Sequence, residues 1–222
     1  MARVRRSRRS KPRWRRRKEA RPEEIVAAAL DVFVERGYAA ARLDEVAHRA
    51  GVTKGTIYLY FDSKEALFKA VVRQTIVANI ALAEETVAQH QGTTRELLLQ
   101  LVRGLWELAG RSRLSGIPKL IIAESVNFPG LARFYYEEAI RRALRVFARV
   151  LQRGVDSGEF RPLDVETAAR LAIAPLVLAL VFKHSLEPCV KEPFGPPGYI
   201  ETHLDLFLRG IAKQPPPEAT HA

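Results

Sequence analysis

Residues 51–61, Gly51-Val52-Thr53-Lys54-Gly55-Thr56-Ile57-Tyr58-Leu59-Tyr60-Phe61, decide how the rest of the chain is read. A glycine permits a tight turn that other residues resist, and the Thr53 hydroxyl can cap the helix that follows. That helix mixes small, basic and aromatic side chains on a face slim enough for the major groove of DNA. Ile57 and Phe61, four apart, fall together on the opposite side and turn toward a core. The stretch therefore reads as the turn and second helix of a helix-turn-helix. Backbone N–H groups near Thr53 and Lys54 are left for phosphate, Lys54 adds charge, and Gly55 allows close approach. Thr56 and Tyr58 point toward base edges or thymine methyls, while Tyr60 and Lys64 are placed for phosphate. A helical corner with a purely structural role is the alternative that this pattern alone leaves open.

Outward from that stretch, apolar residues recur at helical spacing almost throughout, with neither repeats nor a convincing alternating run. Helix 1 is expected at about 23–36, after Pro22 and before Gly37, with Ile25, Ala29, Leu30 and Phe33 as its stripe. Helix 2 covers about 43–50 and helix 3 about 54–60. Ser63 caps a long helix to about 90, and a further helix spans about 94–110. Pro118 opens the next helix, Asn127-Phe128-Pro129-Gly130 breaks it, and another runs to about Asp156. A helix at about 163–186 contains Pro175, which should kink it. A Pro/Gly-rich loop and a last helix at about 199–212 follow. The expected fold is all-α: a three-helix head followed by a larger helical domain.

Of 222 residues, 36 are Lys or Arg and 25 are Asp or Glu, a net charge of +11. Twelve of those bases and one acid, Glu19, lie in residues 1–21, so residues 22–222 hold 24 of each sign. The excess charge is thus an N-terminal arm, expected to be disordered by itself. If it neutralised six phosphates, affinity would fall with roughly the fifth power of salt. It can act as an arginine-rich minor-groove reader or as a nonspecific tether. The arm lacks the apolar stretch of a secretory signal. The longest apolar run, Leu171–Phe182, is 12 residues interrupted by Pro175, too short to span a bilayer. One cysteine, Cys189, excludes an internal disulfide framework and fits a reducing compartment. A soluble, cytoplasmic protein with no membrane partner is expected.

Residues 23–72 carry Glu35-Arg36-Gly37-Tyr38, then Val46-Ala47, Ala50-Gly51-Val52-Thr53-Lys54-Gly55-Thr56-Ile57-Tyr58, Tyr60-Phe61 and Ser63-Lys64-Glu65-Ala66-Leu67 in that order. The segment closely resembles the N-terminal domain of TetR-type transcriptional regulators. The resemblance implies an all-helical homodimer, usually a repressor, on a near-palindromic double-stranded operator. It also implies a C-terminal domain in which a small-molecule effector spreads the two heads. By the same resemblance DNA contact falls on Thr53, Lys54, Thr56, Tyr58, Tyr60 and Lys64. One departure stands out. Where the family commonly has a threonine before helix 2, capping it and touching phosphate, this chain has Ala41-Arg42-Leu43. Arg42 replaces the threonine's phosphate contact with charge.

The expected organisation is a basic arm (1–21), a DNA-binding head (22–70), an effector and dimerisation domain (71–213) and a disordered tail (214–222). Ligand-pocket candidates are Trp106, Ile121, Phe128, Phe147 and Leu178, with Glu124 and Asn127 as polar groups to orient a ligand. Core packing, or a surface role for the polar pair, is the competing reading. The resemblance implies a four-helix dimer interface, for which Leu171, Leu178, Phe182, Leu204, Phe207 and Leu208 are candidates. His184, Glu187, Cys189 and His203 match no zinc spacing, and no nucleophile elbow or phosphate-binding glycine loop is present. The chain is therefore expected to carry no catalytic residues, metal or cofactor. The leading function is a sequence-specific regulator released from DNA by a small, largely apolar ligand. The alternatives are a nonspecific nucleic-acid-binding protein driven by the arm, and a ligand-binding helical protein or enzyme.

Overall fold

The computed structural model describes residues 13–190, 195 and 197–213. Among them every regular element is helical, apart from an isolated antiparallel bridge between Phe160 and Ala212. The helices are α1 (Arg13–Ala40), α2 (Leu43–Arg49), α3 (Lys54–Tyr58), α4 (Lys64–Val72), α5 (Ala78–Gln89) and α6 (Thr94–Arg111). They continue as α7 (Ile117–Glu124), α8 (Pro129–Tyr135), α9 (Arg141–Asp156), α10 (Val165–Ser185), α11 (Glu187–Val190) and α12 (Tyr199–Ile211).

Local chemistry fixes most boundaries. Thr53, Ser63 and Asp164 each accept a backbone N–H at the start of α3, α4 and α10. Thr93 and Glu96 form a reciprocal capping box on α6. Each such cap stabilises its helix by about 1 kcal/mol. Gly37 leaves helical backbone at φ 79°, ψ 166°, as its position after the α1 stripe predicts. The other end of α1 differs from expectation: the helix begins at Arg13 and passes through Pro22, so part of the supposed arm is helical backbone. Residues 1–12 and the tail 214–222 lie outside the described residues.

Two long helices contain a π turn, Arg73–Val77 between α4 and α5 and Tyr136–Ile140 between α8 and α9. These turns pack against each other. Beside the first, Thr75 Oγ1 donates to the Val71 carbonyl at 2.5 Å and Asn79 Nδ2 to the Thr75 carbonyl at 2.7 Å. A widened turn loosens the i−4 ladder, and these side chains satisfy carbonyls at that point.

The apolar interior is in two parts. A proximal core joins α1–α4, through Ile25, Phe33, Val46, Ile57, Leu67 and Phe68, to Ile117, Leu120, Leu131 and Tyr135 of α7 and α8. A distal core gathers Leu97 and Val102 of α6, Val150 and Leu151 of α9, Leu176 of α10, and Leu204 and Leu208 of α12. Ile80 of α5 packs partly on both. Packing therefore does not divide at 70/71, because α7 and α8 share the head's core. Two helical stretches, Lys64–Gln89 and Val165–Ser185, are long and apolar enough to cross a membrane by length and composition. The 12-residue run read from the sequence understated both, since helix length counts the small and polar residues between apolar ones.

Candidate nucleic-acid interface

The head is built so that one side of α3 is anchored and the other is bare. Ile57 is fully buried, a contribution of about 1.5–3 kcal/mol, and Phe61 is buried beside it. Gly51 holds the preceding turn at φ 62°, a region where a side chain is strained. The Thr53 hydroxyl accepts from the Thr56 N–H at 3.2 Å and lies 2.9 Å from the Thr56 hydroxyl. Thr56 is half-buried, so its hydroxyl steadies the turn as well as facing outward.

The outer face presents Tyr58 and Tyr60, 48% and 37% exposed, with Gly55 and Lys54 also exposed. A Cβ on Gly55 would meet only Thr53 Oγ1, at 3.8 Å. Nothing inside the protein requires that glycine. Leu59, at 80% exposure the barest large apolar residue of α3's surroundings, was missed by the sequence reading. Its signal was an apolar residue between two aromatics, off the anchored stripe.

Lys54 Nζ is 3.2 Å from Asp44 Oδ2, and Arg42 Nη2 is 3.7 Å from the same oxygen. Arg42 is the N-cap of α2 in extended backbone and offers no side-chain cap. Asp44 and Glu45 supply negative charge at that helix start instead. Lys64, read from the sequence as placed for phosphate, is engaged within the protein. Its amine donates to the carbonyls of Tyr38 (2.8 Å), Ala39 (3.0 Å) and Ala41 (3.2 Å) and lies over the Tyr38 ring. It closes the carbonyl end of α1, and burial holds its pKa below the ordinary lysine value.

Behind the face, charges lock α1, α2 and the 3-10 turn Arg113–Gly116 together. Arg49 of α2 bonds Glu35 of α1 at 2.6 Å, and Arg113 bonds the other oxygen of Glu35 at 2.6 Å and Asp31 at 3.0 Å. The Arg49 and Arg113 guanidinium groups hold the Glu35 carboxyl down at about 2.

The pocket candidates are spread over both cores and the surface. Ile121 is buried in the proximal core and Phe147 in the distal core. Phe128 stacks edge-on against Tyr38 at 4.8 Å. Glu124 Oε1 accepts the Ala39 N–H at 2.8 Å, fastening α7 to the end of α1. Asn127 is exposed, and Leu178, 54% exposed, faces away from the cores. Trp106 lines an open groove of about 400 Å³ shared with Arg103, Tyr199 and Glu201. Among the dimer candidates, Leu204 and Leu208 are 2% exposed and belong to the distal core, a correction that helix phase explains: they share a stripe with Ile200 and Ile211. Phe182 and Phe207 are half-buried, whereas Leu171 and Leu178 are open, as is Leu206, which sequence reasoning passed over. His184 and His203 are each engaged, with Ser115 Oγ at 2.7 Å and the Ala172 carbonyl at 3.0 Å.

Comparison with known proteins agrees with this geometry. The model of bacterial regulatory proteins of the tetR family matches residues 25–71, and a tetracyclin repressor-like C-terminal domain matches 88–188. The fatty acid metabolism regulator protein of Bacillus subtilis is 30% identical over 157 residues, covering 69% of this chain and 79% of that protein. The transcriptional repressor KstR2 of Rhodococcus jostii is 30% identical over 155 residues, 69% and 74% of the two chains. Among solved structures, FadR from Bacillus subtilis in complex with stearoyl-CoA superposes with a TM-score of 0.71 at 24% identity, covering 85% of this chain and 98% of that one. The chain belongs to the TetR family of bacterial regulatory proteins and is a DNA-binding transcriptional regulator.

Proposed function

We propose that the protein is a dimeric cytoplasmic repressor, released from a near-palindromic operator by a small ligand with a long apolar chain. The observation that carries the ligand reading is α5. Lys64–Gln89 reaches a mean hydropathy of 1.4, yet neither the π turn Arg73–Val77 nor α5 contains a buried residue. Ile76 and Val77 lean on the proximal core, Ala83 and Val87 on the distal one, each only partly covered. Apolar side chains left half-wet between two cores favour an apolar guest. The names of the relatives point to acyl chains: one is a fatty acid metabolism regulator, and a solved structure with this fold holds stearoyl-CoA.

The dimer reading rests on α10, whose Leu171, Ala174 and Leu178 form an exposed stripe at helical spacing, with Leu206 bare on α12. Such a stripe suits a two-fold helical bundle. The test is operator binding in a mobility shift with acyl-CoAs of increasing chain length, and coenzyme A alone as control. Release that strengthens with chain length and is absent with coenzyme A supports the reading. Operator binding indifferent to every chain length removes it.

A further inference from the structure

We infer that Asp44 reads a cytosine in each operator half-site; this rests on the DNA-binding role established above. Asp44 lies in the first turn of α2, its side chain half exposed, on the same side as α3's first residue, whose amine it holds. Arg42 and Lys54, both expected on phosphate, converge on its Oδ2 at 3.7 and 3.2 Å. Oδ1 has no hydrogen-bond partner among the described residues.

A bare carboxylate oxygen on a surface that meets DNA is costly on most sequences. Phosphates repel it, and purine N7, guanine O6 and thymine O4 are all acceptors that cannot bond it. Two major-groove groups donate, adenine N6 and cytosine N4; adenine's stands beside that base's own N7 acceptor, so cytosine N4 is the one that suits a lone carboxylate. The two cations on Oδ2 offset the phosphate repulsion and hold the carboxylate in place, leaving Oδ1 as the reading atom. Both acids of the first turn supply helix-end charge, but Glu45 is drawn back onto Arg36 and Arg49 whereas Asp44 stands toward α3. Asp44 thus selects by penalty as much as by attraction: wrong bases leave the carboxylate unpaired.

The experiment is selection from a randomised duplex pool with the full chain, alongside Asp44→Asn and Asp44→Ala. The wild type should enrich a palindrome with one cytosine per half-site whose replacement weakens binding roughly tenfold. Asp44→Asn should move that preference to adenine, whose N6 and N7 match an amide, and Asp44→Ala should lose it. The same consensus from all three proteins overturns the inference while leaving the DNA-regulator reading intact. A wild-type pool with no consensus overturns both.

Discussion

The two cores are similar in kind and opposite in what they bind together. The proximal core closes the reading head and, through Ile117, Leu120, Leu131 and Tyr135, takes in α7 and α8. The distal core closes around α6, α9, α10 and α12 and leaves the α10 stripe facing out. The head is therefore not a separate module hung on a body. It is welded to the body's near end, while the far end carries the surface that suits a second copy. The seam between the cores is made of packed side chains rather than a flexible linker.

The largest effect expected from this comparison separates burial from assembly. Leu204→Asp puts a charge inside the distal core, where an unpaired polar group costs several kcal/mol, so the body should lose its cooperative melt. Leu178→Asp, at a residue 54% exposed, should keep the protomer melt and shift sedimentation from dimer to monomer, with loss of tight operator binding. If both variants melt normally and remain dimeric, the assignment of α10's outer face to assembly is wrong.

Next in size is a pair of glycines, one in each core's neighbourhood. A Cβ on Gly116 would come within 2.4 Å of Val34 Cγ1 on α1, and one on Gly154 within 2.1 Å of Phe160 Cδ2. Overpacking of this kind costs about 1–3 kcal/mol, so Gly116→Ala and Gly154→Ala should lower the melting temperature comparably. Only Gly116→Ala pushes the 3-10 turn against the head, and only it should change operator affinity at a temperature where both variants are folded. Equal affinities would erase the functional difference between the cores.

Much of this was legible in the residues and some was not, for identifiable reasons. Thr53, Gly51 and Ile57 fixed the helix-turn-helix because caps, positive φ and buried spacing are local. Leu204 and Leu208 were misassigned because period alone says which residues share a face, not whether that face meets its own chain or another. Glu124 looked like a ligand-orienting group, yet its partner is the Ala39 N–H, 85 residues earlier and invisible to any local pattern. Lys64 was read as a phosphate ligand from charge and position, whereas the carbonyl end of α1 competes for its amine. The π turns had no signal at all in composition.

A smaller effect tests the charge lock behind the head. Glu35 has its carboxyl depressed to about 2 by Arg49 and Arg113, against roughly 4.3 when unfolded. The stabilisation is therefore complete above about pH 4.3 and is lost as pH falls toward 2. Exposed pairs contribute modestly to stability, so Glu35→Gln should lower the melting temperature slightly at neutral pH, with the gap to wild type closing in acid. A gap that does not change with pH would mean the pairs on Glu35 contribute nothing.

The smallest effect concerns a hydrogen bond by which the distal helix α10 touches the joint. His184 Nε2 lies 2.7 Å from the buried Ser115 Oγ, whose hydroxyl donates to the Ser112 carbonyl at 3.0 Å. With that proton committed, His184 donates its own N–H to the serine. Burial lowers the His184 pKa, Lys183 and Lys119 lower it further, and Glu187 opposes them. The folded protein thus binds this proton less readily than the unfolded chain. The contribution is intact above about pH 6.5 and declines as pH falls below it. His184→Asn should flatten that part of the melting profile relative to wild type. Ser115 adjoins Gly116, which touches Val34 of α1, so the same substitution should also flatten any fall in operator affinity over that interval. A stability slope that flattens while the affinity slope persists would place His184 in the distal core's account and leave the joint to the glycine and the arginine.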